Sequence, residues 1–312
     1  MKKNYVDINL SKANFNDIYV QPDPRSYFSA LGALDYMIPD LAEPVIRQIL
    51  SSFVQARGQT PRVLDVGCSY GINAAVHRFP VNFHSLRGRY TRREMMALDT
   101  DELTRLDRNF YASWPEMGQA RFIGLDVSEP AVNYAKQVGL LEDGVVANLE
   151  TDRLTAPQAA VLGSANVILS TGAVGYVTER TYAQVLDAMD TSPWVISFVL
   201  RMFPFEQFIR AFAAHDMVTE RLAGATFVQR RFRDADEFRN SLDRLAELGI
   251  DTAGFEADGL LHADLFLSRP VEEARAMPID EVVTVASGRN RPVGARYVQV
   301  ETGQGTLIAL EP

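Results

Sequence analysis

Cysteine is almost absent from this chain: Cys68 is the only one in 312 residues. A lone thiol excludes an intramolecular disulfide and any two-cysteine metal site. Histidine is scarce as well, and His77, His84, His215 and His262 never pair at i, i+4; no metal centre is expected. Basic charge is in deficit, with 31 Lys and Arg against 40 Asp and Glu, a formal net charge of −9. A duplex-binding protein needs a basic face, so nucleic acid is not an expected partner. No apolar run approaches the length of a membrane span. Met1-Lys2-Lys3-Asn4-Tyr5 leads into no apolar stretch, so no signal peptide is expected either. These absences point to a cytoplasmic protein without a membrane partner, and nothing in them indicates an oligomeric state. The rest is an ordinary globular balance of 47% hydrophobic and 23% charged residues.

The most informative stretch is Val63-Leu64-Asp65-Val66-Gly67-Cys68-Ser69-Tyr70-Gly71-Ile72-Asn73. It reads as a buried strand, a tight turn of small residues, and a helix opening at Ile72. Glycines at 67 and 71 let backbone approach backbone or a ligand where a Cβ would clash. Asp65 sits at the strand's carboxyl end, where open α/β sheets place their ligands. The segment resembles motif I of the class I S-adenosylmethionine (SAM)-dependent methyltransferases, an acidic-x-Gly-x-Gly-x-Gly loop. It departs from that pattern at Ser69, which stands where the middle glycine usually is.

Two rival readings share these residues. A nicotinamide-binding domain would show G-x-G-x-x-G with an acid about 20 residues on; here the glycines fall otherwise, and the next acid at a strand end, Asp126, lies much further along. Gly67-Cys68-Ser69-Tyr70-Gly71 is also G-x-S-x-G, the nucleophile elbow of α/β-hydrolases, with Ser69 as nucleophile and His215 or His262 as base. No glycine-rich oxyanion segment precedes it, and little upstream sequence reads as strand.

Further along, Arg121-Phe122-Ile123-Gly124-Leu125-Asp126 reads as the second strand, followed by Val127, Ser128-Glu129-Pro130 and a helix. Asp126 matches the second signature of the resembled family, an acid that accepts the ribose hydroxyls of an adenosine. The third strand, 144–150, ends in Asn148, Leu149 and Glu150, and the resemblance implies that these frame adenine. The fourth, 165–170, runs through Ser170 and Thr171 into Gly172-Ala173-Val174-Gly175-Tyr176. By the same resemblance this loop passes beside the methionine part of SAM, where a tyrosine face would stabilise the sulfonium by cation–π attraction. The cofactor-binding candidates are therefore Asp65, Gly67, Cys68, Gly71, Asn73, Asp126, Val127, Asn148, Leu149, Glu150, Ser170 and Thr171. The catalytic candidates are Tyr176, Tyr27 and Tyr19, with Asp23 as a further acid in the same N-terminal segment.

The fold implied is α/β: a doubly wound, Rossmann-like, seven-stranded and mostly parallel sheet. Residues 1–60 form a helical cap or lid. Within it Asp40 is expected to cap a helix, with Glu43 at the capping-box position and Pro44 in the first turn. Residues 61–270 form the SAM-binding domain, interrupted by a helical insertion at about 78–120 (Met95, Met96, Leu98, Leu103, Leu106). The segment 194–200, nearly all apolar, is the fifth strand. A helix at about 234–248 precedes a strand pair, TAGFEADG then LLHADLFLSRP, that completes the sheet. Residues 271–312 form an extension with a hairpin turning at Thr302-Gly303-Gln304-Gly305.

The function implied is methyl transfer from SAM to a small molecule, in a biosynthesis of specialised metabolism. An alternative uses SAM itself as substrate, as azetidine-2-carboxylate synthases of this fold do, cyclising the aminobutyrate part and releasing methylthioadenosine. The hydrolase at Ser69, and a SAM-binding subunit without catalysis, are the remaining readings.

Overall fold

The computed structural model describes residues 16–284 and 297–310. Its centre is one sheet in the order β3-β2-β1-β4-β5-β8-β7-β10-β9, with β6 also on β8. The strands are β1 (Arg62–Val66), β2 (Arg121–Asp126), β3 (Asp143–Val146), β4 (Val167–Ser170), β5 (Trp194–Leu200), β6 (Met217–Arg221), β7 (Ala225–Arg231), β8 (Leu260–Pro270), β9 (Tyr297–Thr302) and β10 (Gly305–Leu310). Strands β1 to β5 are mutually parallel, and β8 lies antiparallel beside β5. The order reverses between β1 and β4, where open sheets of this kind leave a crevice. The arrangement is Rossmann-like and doubly wound, as expected.

The chemistry of the strands explains their places. All seven residues of β5 are buried, since the strand is covered on both faces and paired on both sides. The helix Ile38–Arg57 lies against β5, β7 and β10 and buries Ile38, Leu41, Ala42, Ile49 and Phe53. Its start differs from expectation. Met37 is the N-cap and Pro39 sits in the first turn, so Asp40 and Glu43 are inside the helix and buried. Asp40 Oδ1 instead accepts the Phe83 N–H at 2.8 Å, at the start of a different helix, Phe83–Tyr90. Glu43 accepts from Arg47 one turn on, at 2.7 Å.

The sheet has ten strands rather than seven, and its far end is built differently. TAGFEADG is not a strand: Gly254 and Gly259 have φ of 75° and 92°, and Glu256–Asp258 form one 3₁₀ turn. On the side away from β5, the partners of β8 come from 217–231. β6 pairs residues 266–270, β7 pairs 260–263, and the Leu222 N–H donates to Leu265 between them, so the two act as one strand bent at Gly224. Charges at Glu220, Arg221, Arg230 and Arg231 break the apolar alternation that would announce a strand there. The hairpin is present, and β10 runs parallel to β7, extending the sheet.

The insertion forms helices Phe83–Tyr90, Arg93–Met96 and Thr100–Ala112. Buried Asp107 ties it to the body, accepting from Tyr134 Oη at 2.7 Å, Tyr90 Oη at 3.1 Å and Arg89 Nη2 at 2.8 Å. The short helices Asn16–Tyr19 and Arg25–Gly32 pack against Tyr70 in the turn after β1. Arg25 joins this N-terminal segment to the helices at 93–112, donating to the carbonyls of Met95 and Leu98 as well as to Asp23. Among the described residues no helix is long and apolar enough to cross a membrane.

Candidate functional site

The turn after β1 is wound in the left-handed region: Gly67, Ser69 and Gly71 have φ of 74°, 49° and 77°. A Cβ on Gly67 would lie 2.7 Å from Ala173 Cβ, so the loop after β4 can close against the turn only over a glycine. Ser69 adopts the same backbone region without being a glycine, at a cost of roughly 1–2 kcal/mol. Its N–H donates to Asp126 Oδ2 at 2.9 Å, and Ser128 N–H donates to Asp126 Oδ1 at 2.9 Å. The tips of β1 and β2 are thereby locked together, with the Asp126 carboxylate held in one orientation. Burial raises its pKa, and those backbone N–H groups oppose the rise.

Behind the turn, Asp65 is fully buried. Asn73 Nδ2 bridges Asp65 Oδ1 at 2.9 Å and Thr171 Oγ1 at 3.0 Å, which ties the helix Ile72–Arg78, β1 and the loop after β4 into one unit. Burial pushes the Asp65 pKa up to about 7, against the pull of the Asn73 hydrogen bond. Asp65 Oδ2 and Ser69 Oγ are buried without a hydrogen-bond partner. Such orphans are costly unless a bound group satisfies them.

These loops surround a cavity of about 520 Å³. Of the sequence-derived candidates, Gly67, Cys68, Asn73, Asp126, Val127, Asn148, Leu149, Glu150 and Thr171 line it, as do Tyr19, Tyr27 and Tyr176. Asp65, Gly71 and Ser170 stand behind the wall. Gly71 caps the helix where it meets Ala135 and Leu140, and Ser170 Oγ accepts the Ala173 N–H. Glu150 is engaged at the start of helix Glu179–Asp187, accepting from Thr178 N at 2.9 Å and Thr181 Oγ1 at 2.6 Å. Burial raises the Cys68 thiol pKa well above its usual value, which removes it as a nucleophile.

The roof comes from the two N-terminal helices, which carry Tyr19 and Tyr27. Tyr19 and Tyr27 pack edge to face with centroids 5.6 Å apart, and Tyr27 meets Tyr36 at 6.5 Å. The N-terminal segment is fastened by residues of the loops after β1 and β2: Tyr70 Oη donates to the carbonyls of Ile18 at 2.9 Å and Gln21 at 2.8 Å, and Ser128 Oγ donates to that of Tyr19. Sequence reasoning missed Tyr36, Pro39 and Thr181 in the wall. Tyr36 follows a reversal at Asp35, φ 50°, and only that reversal turns it inward.

Asp23 is absent from the wall. Burial raises its pKa, but hydrogen bonds and charge from Arg25 outweigh this and hold it below the ordinary value. The nucleophile-elbow reading fails on geometry, because Ser69 Oγ has no histidine to take its proton. His262 bonds Thr226 instead, and burial drives its pKa down to about 3.

No protein-family profile and no curated protein matches this chain. Solved structures do align with it. One is the plantazolicin methyltransferase BpumL bound to SAH, at 12% identity over 86% of this chain and 100% of that one, TM-score 0.40. Another is a TehB-like SAM-dependent methyltransferase from Corynebacterium glutamicum, at 14% identity over 71% and 87%, TM-score 0.35. A third is the magnesium protoporphyrin IX methyltransferase ChlM from Synechocystis PCC 6803 with bound SAM, at 10% identity over 85% and 95%, TM-score 0.36. What defines the fold here is the chain's own strand order, with the cavity at its point of reversal.

Proposed function

We propose that this protein is a SAM-dependent methyltransferase acting on a small molecule of biosynthesis. The observation that carries the reading is Asp126, clamped by two backbone N–H groups at the tip of β2 beside a left-handed turn and facing the cavity. The residues present fit SAM. Asp126 would accept the ribose hydroxyls, Val127 and Leu149 offer apolar surface to adenine, and the orphaned Asp65 Oδ2 adds negative charge behind Asn73 for the ammonium of the methionine part. Bound there, SAM supplies an electrophilic methyl group. The protein's task is to position donor and acceptor and to exclude water, which the tyrosine roof supports. The cavity lies in the range of about 300–1,000 Å³ that encloses a drug-sized ligand, which favours a small acceptor over a macromolecular one.

A second reading is kept by the roof. Tyr19, Tyr27, Tyr36 and Tyr176 all line the cavity, and such an aromatic cage also suits a SAM cyclase that folds SAM onto its own sulfonium and needs no acceptor. Incubating the protein with SAM alone and following nucleosides by mass spectrometry separates the two. Intact SAM is the expected result. Methylthioadenosine in step with a four-membered-ring amino acid would replace methyl transfer by cyclisation.

A further inference from the structure

We propose that Ser128 is a positioning residue that couples the ribose site to the roof: an adenosine seated on Asp126 holds the segment 16–21, and Tyr19 with it, onto the cavity. This rests on the methyltransferase reading and adds how the donor completes its own site. Ser128 makes the link with two different groups. Its backbone N–H donates to Asp126 Oδ1 at 2.9 Å, and its side-chain Oγ donates to the carbonyl of Tyr19. Ser128, Asp126 and Tyr19 all line the cavity.

The other oxygen of Asp126 leads to the same segment. Asp126 Oδ2 accepts the Ser69 N–H at 2.9 Å, and the next residue, Tyr70, donates its hydroxyl to the carbonyls of Ile18 and Gln21 at 2.9 and 2.8 Å. Three of the four carbonyls from Ile18 to Gln21 are thus held by the two loops that clamp Asp126.

The segment has little hold of its own. Helix Asn16–Tyr19 is a single turn of four residues, too short to persist without tertiary contacts. Val20 lines the cavity and is 57% exposed, and Tyr19 rests edge to face on Tyr27. The place of the segment therefore follows the two loops. Ribose hydroxyls donating to Asp126 would fix the carboxylate, the Ser69 and Ser128 N–H groups that clamp it, and with them the hydroxyls of Tyr70 and Ser128. A ligand shifts such an equilibrium by its differential affinity for the attached state. By reciprocity, the attached segment tightens the ligand by the same factor. The electrophilic methyl is then roofed against water once the donor is seated.

Hydrogen–deuterium exchange, read by mass spectrometry on the peptide covering 16–23, tests the coupling with SAH, adenosine and adenine as probes. SAH and adenosine, which carry the ribose, should slow exchange there by about two- to tenfold, the worth of one hydrogen bond. Adenine at equal occupancy should not. Ser128→Ala keeps the backbone N–H and loses the hydroxyl. It should bind SAH about two- to tenfold more weakly, with SAH protection at 65–73 retained and protection at 16–23 reduced. Ser128 Oγ also accepts the Ala131 N–H at 3.3 Å as the cap of helix Glu129–Gln137, so Ser128→Thr, which keeps both roles, should restore the protection. Exchange at 16–23 unmoved by bound SAH in the parent, equal protection by adenine and adenosine, or full protection in Ser128→Ala would overturn the proposal. Failure of SAH itself to bind would instead strike the methyltransferase reading.

Discussion

Asn73 Nδ2 donates to Asp65 Oδ1 at 2.9 Å and leaves Asp65 Oδ2, buried, with no partner at all. A carboxylate so placed is tuned by what enters the cavity. Burial raises the Asp65 pKa from its ordinary value to about 7, so the stability associated with its protonated form is fully present below about pH 4 and is lost as the pH rises through 7. A cationic ligand reverses the preference and favours the ionised form. SAM affinity should therefore fall as the pH drops from 8 to 6, with proton release on binding. Calorimetry in buffers of different ionisation enthalpy reads this, and Asp65→Asn should abolish the pH dependence.

Asp126→Ala removes the acceptor for Ser69 N–H and Ser128 N–H as well as the proposed ribose contact. SAH affinity should fall by about 10–100-fold, from the loss of hydrogen bonds to a charged group worth about 1.5–3 kcal/mol each. Asp126→Asn keeps one acceptor oxygen and should lose less. Equal losses in the two variants, measured by titration with SAH, would mean that the charge rather than the bidentate geometry matters.

Gly67→Ala meets two obstacles at once, a φ of 74° and a Cβ 2.7 Å from Ala173. It should destabilise the protein by about 1–3 kcal/mol and displace the loop that carries Tyr176. Ser69→Gly, in contrast, relieves a left-handed serine and should raise stability by up to about 1 kcal/mol with SAH binding retained. Thermal melts with and without SAH check both. Because Ser69 is no nucleophile in this geometry, Ser69→Gly should also leave enzymatic turnover of SAM in place.

Tyr70→Phe removes the hydroxyl that holds the Ile18 and Gln21 carbonyls. The ring stays packed against Tyr27 and Tyr134 at 5.7 and 5.8 Å, so the core should lose only about 1 kcal/mol per lost hydrogen bond. The N-terminal segment should then detach more readily. Limited proteolysis should cut within residues 16–32 several times faster than in the parent, and SAH should slow that cleavage in the parent more than in the variant.

The strands next to the site were legible in the sequence because each is a local signal. A buried parallel strand is an uninterrupted apolar run, and the turn after β1 announces itself by glycines at 67 and 71. The acids Asp65 and Asp126 at strand tips are visible for the same reason. The far end of the sheet was not legible. β6 and β7 carry buried Arg230 and half-buried Glu220, whose charges are neutralised by Glu237 and Arg269, and no local pattern encodes such pairing. Asp40 shows the same limit: a good local helix cap on paper, it serves the helix Phe83–Tyr90, far along the chain. The sequence by itself determined the class of fold and the strand tips beside the cavity, since hydrophobic periodicity and backbone freedom act within a few residues. Only the tertiary structure decided that Tyr36 joins Tyr19, Tyr27 and Tyr176 over the cavity, on a segment held to β7 by Met37 N–H to the Gln229 carbonyl and Arg231 N–H to the Leu34 carbonyl. Those contacts join a reversal at Asp35 to a strand almost two hundred residues later, and long-range packing alone sets which side chains meet there.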